Sequence, residues 1–561
     1  MAALDDILTR LTSGGASYAA WPAEKRSALA RATACRVAGA AGRWTAAAVA
    51  MKTVGGSVVD SVVAEEMATG PIATLRLLLI TARAWTGIGQ TGLPWSAART
   101  HIQPAPGPGS FVAVDVLPEP RLFDGGIFQG YRATVRCVNP GGIAAFRASW
   151  RSEAESRPRA GGVAVVLGAG NVTGLAPADA VDQIFCHGRA VLLKLHPLHG
   201  SLRPVYQDAL GPLVEAGLLE IIVGDTDLAR AAIAAPAATH IHLTGGRAAF
   251  DHIVWGPEGP RASAEPVLRK TITCELGSVT PWLVLPGQYS LRELRFQADL
   301  VAASIAHNTS FNCIATKCVV TSQRWPQRED FLRLVTERLA SLPPRSAWFS
   351  GAAAAWEAAT GRLIPSDGCL PWTFLTGVDP QQDRRLLDRE WFVPVATEVP
   401  LEAADIEGFC SLASAFIHTL PGSLAASVTI PGSLSVADTD RAELLVAHLR
   451  YGVVAVNTWS AIAYALGSVP WGGYPGATLR EPASGIGRVH DPLMLPLVHN
   501  AVLRAPLSSR FTPPWQSWHP RGRRLADGLL EMYTAIARGG NGLGGLVRMI
   551  PAVLTGVKRR A

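Results

Sequence analysis

Between residues 163 and 246 the chain alternates short β-rich runs with stretches of helical spacing, and this alternation limits the fold more than any other feature. The runs 163–167, 190–195, 219–223 and 240–243 are built mainly from Val, Ile, Leu and Ala. Helical patterns near 177–187 and 205–216 separate them. Strand and helix in strict alternation give βαβ units and a parallel sheet. Ligands of such sheets gather where the strands end at their carboxyl side. Here those ends are Gly168 to Asn171, Lys194 to Pro197, Gly224 and Asp225, and Thr244, Gly245 and Gly246. None of them is a G-x-G-x-x-G turn, so the usual dinucleotide fingerprint is missing. A second alternation begins near residue 270, with strands expected at 281–285 and 317–321 and helices at 291–307 and 327–342. The fold class that follows is α/β, with two open parallel-sheet domains.

Residues 1–100, rich in Ala, Leu and Val, read as several helices, so the N-terminal segment is mostly helical. The cluster Pro104, Pro106, Gly107, Pro108 and Gly109 marks a loop or linker. At 48% hydrophobic and 17% charged residues, the 561-residue chain is neither disordered nor a coiled coil, and it is long enough for two or three domains. Eight cysteines without a C-x-x-C pair suggest no disulfide framework, and a reducing, cytoplasmic setting is expected. No H-E-x-x-H run is present and no metal site is expected; His240 and His242 alternate as strand neighbours do. The uncharged stretch 451–479 contains Asn457, Ser460, Pro470, Gly472 and Gly473, which favour a buried strand and a Gly-rich loop over a membrane span.

The last 61 residues hold ten of the 51 basic side chains and only Asp527 and Glu531 as acids. Leu543, Leu546, Val547, Ile550, Val553, Leu554 and Val557 recur at helical spacing beside Arg548, Lys558, Arg559 and Arg560. Such a tail either docks as a terminal helix or makes peripheral contact with an anionic membrane surface. Nucleic acid is not an expected partner, because the basic residues lack interleaved aromatics.

Three segments carry chemistry. Glu275 stands at the end of an apolar run in Thr271-Ile272-Thr273-Cys274-Glu275-Leu276-Gly277-Ser278. Cys313 lies on the turn after a helix in Asn308-Thr309-Ser310-Phe311-Asn312-Cys313. Glu390 precedes an apolar strand in Glu390-Trp391-Phe392-Val393-Pro394-Val395. Taken with Asn171, Lys194, Thr244-Gly245-Gly246, Pro470-Trp471-Gly472-Gly473 and Ser484-Gly485-Ile486-Gly487-Arg488, these motifs run in an order that resembles the aldehyde dehydrogenase superfamily. The resemblance spans residues 160–490. It departs from the family at Gly168 to Gly174, a string more similar to acyl-CoA reductases of the luminescence type, and at Ser278, Phe311-Asn312 and Val489.

The resemblance implies Cys313 as the nucleophile, Asn171 as an oxyanion donor and Glu275 as the base that hydrolyses a thioester. It implies NAD or NADP as cofactor, with Lys194, Gly224, Thr244, Gly245, Gly246, Glu390 and Phe392 around it. Lys194 and Glu390 would meet the two riboses, Phe392 the nicotinamide, and the glycines the diphosphate. Pro197 stands where NAD-preferring members often carry a Glu, which leaves the choice of dinucleotide open. The expected divisions are 1–160 (helical segment and linker), 161–269 (Rossmann-like NAD(P) domain), 270–457 (catalytic domain), 458–500 (return segment with an oligomerisation strand) and 501–561 (basic tail). The expected activity is oxidation of an apolar aldehyde to a carboxylic acid, with a tunnel walled by residues such as Trp282, Phe311, Trp391 and Trp459. A homodimer or homotetramer, joined through a hairpin and a late strand, is also implied. The alternatives are an NADPH-dependent acyl-CoA or acyl-thioester reductase, and a catalytically silent scaffold of the same fold.

Overall fold

The aliphatic runs become parallel strands. Val163–Leu167 and Ala190–Lys194 are buried at every position, the pattern of strands covered on both faces. The structure, a computed structural model, describes residues 2–53, 59–105, 109–156, 162–260 and 265–556. Lys558, Arg559, Arg560 and Val557 of the tail, Pro106 to Pro108 of the linker and the 160/161 division lie outside the described residues.

Two sheets organise the chain. The smaller has six strands in the order Gly485–Ile486, Thr271–Glu275, Ala238–Thr244, Val163–Leu167, Ala190–Lys194 and Leu219–Ile222. All its pairings are parallel except the first. The larger has ten, in the order Thr100–Pro104, Ser110–Leu117, Arg132–Val138, Val498–Arg504, Val453–Val456, Ala425–Thr429, Pro281–Val284, Cys318–Ser322, Val395–Leu401 and Thr373–Leu375. The first four pair antiparallel and the rest are parallel.

Three expected divisions shift. The N-terminal helices Ala2–Ala19, Ala23–Lys52, Asp60–Met67 and Ala73–Thr91 are followed by three strands that join the larger sheet, so residues 1–160 are more than helix and linker. Strand Thr271–Glu275 pairs with Ala238–Thr244, so the chain leaves the smaller sheet after Glu275 and not at 270. The late strand Val498–Arg504 has both edges paired within its own chain, to Val453–Val456 and Arg132–Val138. It runs from residue 498 to 504, past the end of the expected 458–500 segment. Sequence periodicity shows which face of a strand is buried but not which strand lies beside it, and all three differences have that origin.

The N-terminal helices cover the smaller sheet. Trp44 Nε1 donates to Thr173 Oγ1 at 3.0 Å, and the Tyr206 hydroxyl donates to the Thr173 carbonyl at 2.7 Å. A Cβ on Gly174 would overlap the Thr69 carbonyl, one on Gly168 would press on Ala176 and one on Gly170 would overlap the His196 ring. The glycines between residues 168 and 174 thus each have a packing reason.

The basic tail folds back. Helices Gly522–Ala537 and Leu543–Thr555 pack on each other, and the first also packs on Asp60–Met67. Leu543, Val547, Ile550 and Leu554 remain exposed on the outer face of the last helix. Among the described residues no helix is long and apolar enough to cross a membrane. The close approach depends on Gly545, where a Cβ would overlap the Met532 amide and lie 2.5 Å from the Gly528 carbonyl. Overpacking of this kind costs about 1–3 kcal/mol. Gly545→Val should unseat the last helix and raise tryptic cleavage after Arg538 and Arg548 by about tenfold. Unchanged cleavage would contradict the packing argument.

Candidate active site

Cys313 follows a loop that the backbone does not adopt freely. Helix Leu291–Ala306 begins with a capping box between Ser290 and Glu293 and ends at His307. Asn308, Thr309 and Ser310 then take φ values of 52°, 55° and 63°. Asn tolerates that region, but a β-branched Thr does not, and such residues cost roughly 1–3 kcal/mol each.

A buried polar network offsets the strain. The Asn308 amide nitrogen donates to Glu65 Oε1 at 3.0 Å, and its side-chain oxygen accepts from Lys52 Nζ at 2.8 Å. Its Nδ2 donates to the Asn171 and Phe311 carbonyls at 2.9 and 2.8 Å. Behind it Lys52 pairs with Glu66 at 2.6 Å, and Arg345 pairs with Glu65 at 3.0 Å. On the other side Lys317 Nζ donates to Ser310 Oγ and the Val393 carbonyl, each at 2.7 Å. The N-terminal helices thus hold the cysteine loop. In the sequence, Lys52 in an Ala-rich helix and the Glu65-Glu66 pair inside an apolar run were the available signals.

The loop brings Cys313 Sγ to 3.0 Å from Glu275 Oε1. The other carboxylate oxygen accepts from Trp471 Nε1 at 2.9 Å. Burial pushes the Glu275 carboxyl up to about 7, against the hydrogen bonds from Cys313 and Trp471. The Cys313 thiol is pushed up by burial and by the adjacent Glu275 carboxylate. In this contact the thiol donates and the carboxylate oxygen accepts. Asn171 lines the same cavity, but its Nδ2 already donates to the Phe311 carbonyl at 3.1 Å, which leaves one amide proton for an oxyanion.

A cavity of about 580 Å³ opens from Cys313 towards solvent. Its inner walls are Phe128, Trp459, Ile462, Tyr464, Trp471 and Trp515. The tail helix Gly522–Ala537 forms its outer side, and Arg521, Arg523 and Arg524 belong to its lining. Of the expected aromatic walls only Trp459 is present; Trp282 lies in the sheet core with its Nε1 donating to Thr429 Oγ1 at 2.9 Å. Phe311 instead packs with Phe349 and Phe392 at 5.4 and 6.1 Å between ring centres. Trp391 is not part of that cavity's lining.

The other candidate residues occupy the ends of the strands. Lys194 ends its strand nearly buried, and that burial pulls the ammonium down while Asp225 opposes it. Gly224 gives room for Leu228, whose side chain a Cβ would overlap. Thr244 Oγ1 donates to Asp179 Oδ2 at 2.9 Å. The Gly245 N–H is spent on the Glu275 carbonyl at 3.0 Å and is not free for a diphosphate. Gly246 precedes helix Arg247–Trp255 and has open space where a Cβ would stand. Glu390 lies against Gly277, where any Cβ would overlap its carboxylate, and its Oε1 has no hydrogen-bond partner. Burial raises the Glu390 carboxyl and lowers the neighbouring Lys317 ammonium, each opposed by the other's charge. Phe392, at φ 53°, meets Phe349 edge-on with 5.2 Å between ring centres.

No protein-family model matches the chain, and no curated protein matches it in sequence. Solved structures do match in shape. A putative aldehyde dehydrogenase from Burkholderia cenocepacia is 14% identical, with 90% of this chain and 89% of that one aligned at a TM-score of 0.60. Aldehyde dehydrogenase C from Pseudomonas syringae, solved with NAD+ and octanal, is also 14% identical over 90% and 88% of the two chains, at 0.60. Betaine aldehyde dehydrogenase from Staphylococcus aureus, solved with NAD+, is 15% identical over 89% of each chain, at 0.59. With about 90% of this chain aligned to each of them, the chain has the aldehyde dehydrogenase fold.

Proposed function

We propose that this protein oxidises an apolar aldehyde to its carboxylic acid with NAD or NADP, through a thioester on Cys313. The observation that carries the reading is the 3.0 Å contact between Cys313 and Glu275 at the inner end of an aromatic cavity. The thiol passes its proton to Glu275 as sulfur bonds to the aldehyde carbon, and the remaining Asn171 amide proton and the Cys313 N–H face the oxyanion. The bound dinucleotide supplies the acceptor for the hydride. Glu275 gives up the thiol's proton, then takes one from water as that water attacks the thioester, and passes it to sulfur as the C–S bond breaks to return the thiol.

The residues at hand suit a dinucleotide. Glu390 offers a buried carboxylate oxygen without a partner, Gly246 an open approach to a helix N-terminus, and Lys194 a cation at a strand end. No carboxylate stands at Pro197, so a 2′-phosphate meets no repulsion there. A hydrolytic base held against the nucleophile favours the dehydrogenase over the reductase. So do the packing reasons for the glycines at 168, 170 and 174.

The test is reduced-nicotinamide absorbance with straight-chain aldehydes from short to long and each dinucleotide. Turnover that improves with chain length, with NADP accepted, is expected. Aldehyde release from acyl-CoA and NADPH without forward turnover would move the assignment to the reductase. Silence in both directions would leave the scaffold.

A further inference from the structure

Strands Ala238–Thr244 and Thr271–Glu275 lie side by side in the smaller sheet, the second next to the short edge strand Gly485–Ile486; covered parallel strands are ordinarily aliphatic. Every second position on each is polar instead. The register sets His240 opposite Thr271, His242 opposite Thr273 and Thr244 opposite Glu275. Because side chains alternate, these three rungs share one face of the sheet, while Ile241, Ile272, Leu243 and Cys274 face the other way.

The rungs are joined into one hydrogen-bonded file. Thr271 Oγ1 lies 2.8 Å from His240 Nδ1, and His240 Nε2 lies 2.9 Å from Thr273 Oγ1. Thr273 Oγ1 lies 2.8 Å from His242 Nδ1, and His242 Nε2 lies 3.4 Å from Thr244 Oγ1. Thr244 donates to Asp179 Oδ2 at 2.9 Å, and Asp179 Oδ1 lies 3.7 Å from His242 Nε2 with no hydrogen-bond partner. One end of the file is buried beside Glu275. At the other end Thr271 is exposed. Asp182, Arg189 and His187 face His240, and Asp182 pairs with His187 at 3.1 Å.

Glu275 has no acceptor for its proton among its own hydrogen-bond partners, although it also lines the cavity that opens to solvent. Its two hydrogen-bond partners are a thiol and an indole N–H, both of which donate to it, and an indole cannot accept a proton. We propose that Thr244, His242, Thr273, His240 and Thr271, with Asp179, form a proton exit from Glu275 to solvent, used once per thioester hydrolysed. The inference rests on the assignment of Cys313 and Glu275 above.

The balance is simple. Thr244 stands opposite Glu275 in the register without a direct hydrogen bond to it, so a proton from Glu275 crosses through a water to Thr244 and Asp179 and binds His242 Nε2. The His242 Nδ1 proton moves to Thr273, the Thr273 hydroxyl proton to His240 Nε2, the His240 Nδ1 proton to Thr271, and the Thr271 hydroxyl proton to water. One proton enters and one leaves. Each imidazole ends in its other neutral tautomer, and rotation of the hydroxyls with tautomer exchange resets the file. These residues touch neither substrate nor cofactor; they act through Glu275.

The experiment uses the full chain, p-nitrophenyl acetate and no dinucleotide. The burst of nitrophenolate reports formation of the Cys313 ester, and the steady rate reports its hydrolysis. Thr273→Val, which keeps the β-branched shape and removes the hydroxyl, should leave the burst amplitude unchanged and slow the steady rate by about tenfold. Thr273→Ser should restore the rate to within about twofold, and the solvent deuterium effect on the steady rate should fall in Thr273→Val. Thr271→Val, at the exposed end, is a second cut that keeps the question open to test where the first variant does not fold. A steady rate in both Val variants equal to that of the unaltered chain would overturn the exit. Loss of burst and steady rate together, with no rescue by Ser, would overturn it in favour of a structural role. If the unaltered chain gives no burst, the thioester assignment itself fails and the exit falls with it.

Discussion

Glu275→Gln is expected to accumulate a thioester, with its hydrolysis slowed by about 10²–10⁴-fold, the usual worth of a positioned general base. Formation of the thioester should survive. The Cys313 thiol is held up by burial and by the Glu275 carboxylate; an amide at that position removes the charge, so the thiol gives up its proton to water in the cavity more readily, which offsets the loss of Glu275 as its acceptor. Cys313→Ser should instead lose both steps, by at least about 10⁴-fold in turnover. The pH dependence has a definite sign. Glu275 works as the carboxylate and titrates at about 7, so hydrolysis should rise through neutrality, level off above it, and fall about tenfold per unit below it. In Glu275→Gln that rise should vanish. A rise that persists in Glu275→Gln would assign the base elsewhere.

The second large effect concerns the network behind the loop. Lys52→Met removes the partner of Glu66 and a donor to Asn308 in one step. Breaking a buried pair by removing one member costs about 3–5 kcal/mol, because the other charge stays buried alone. Glu66 is already raised by burial, with Lys52 the main opposing charge. Lys52→Met should therefore lower the denaturation midpoint sharply and release the left-handed residues at 308–310. Labelling of Cys313 by iodoacetamide should change with it. Lys52→Met combined with Glu66→Gln should regain much of the stability, since no lone charge is left. A single variant as stable as the unaltered chain, or a double variant worse than the single, would contradict the account.

The smaller sheet could be read from the sequence because its strands are continuous apolar runs closed by Gly or polar residues, and that pattern has few other solutions. Strands Thr100–Pro104, Ser110–Leu117 and Arg132–Val138 could not. The first two flank the Pro/Gly cluster at 104–109, all three pair antiparallel at or near an edge, and the first has no buried residue, so the stretch reads as linker. At the site, Glu275 and Cys313 each have an ordinary structural reading alone, and it is the order of motifs around them that singled them out. Lys52, Glu65 and Glu66 did not stand out, because a charge on a helix is ordinarily solvated. The histidines were visible as an alternation. Their meaning depends on the hydroxyls and the carboxylate of the neighbouring strand, and pairing between strands is not written in either strand alone. Gly245 shows the converse: its place in a turn suggested a diphosphate contact, but its N–H completes the sheet.

The most direct measurement is the mass of the Cys313 peptide from Glu275→Gln after brief mixing with a straight-chain aldehyde and NAD or NADP. The account predicts that this peptide gains the mass of the acyl group, that reduced dinucleotide appears in equal amount, and that Cys313→Ser gives neither. Turnover retained in Cys313→Ser, or one equivalent of reduced dinucleotide with no acyl group on Cys313, would contradict it.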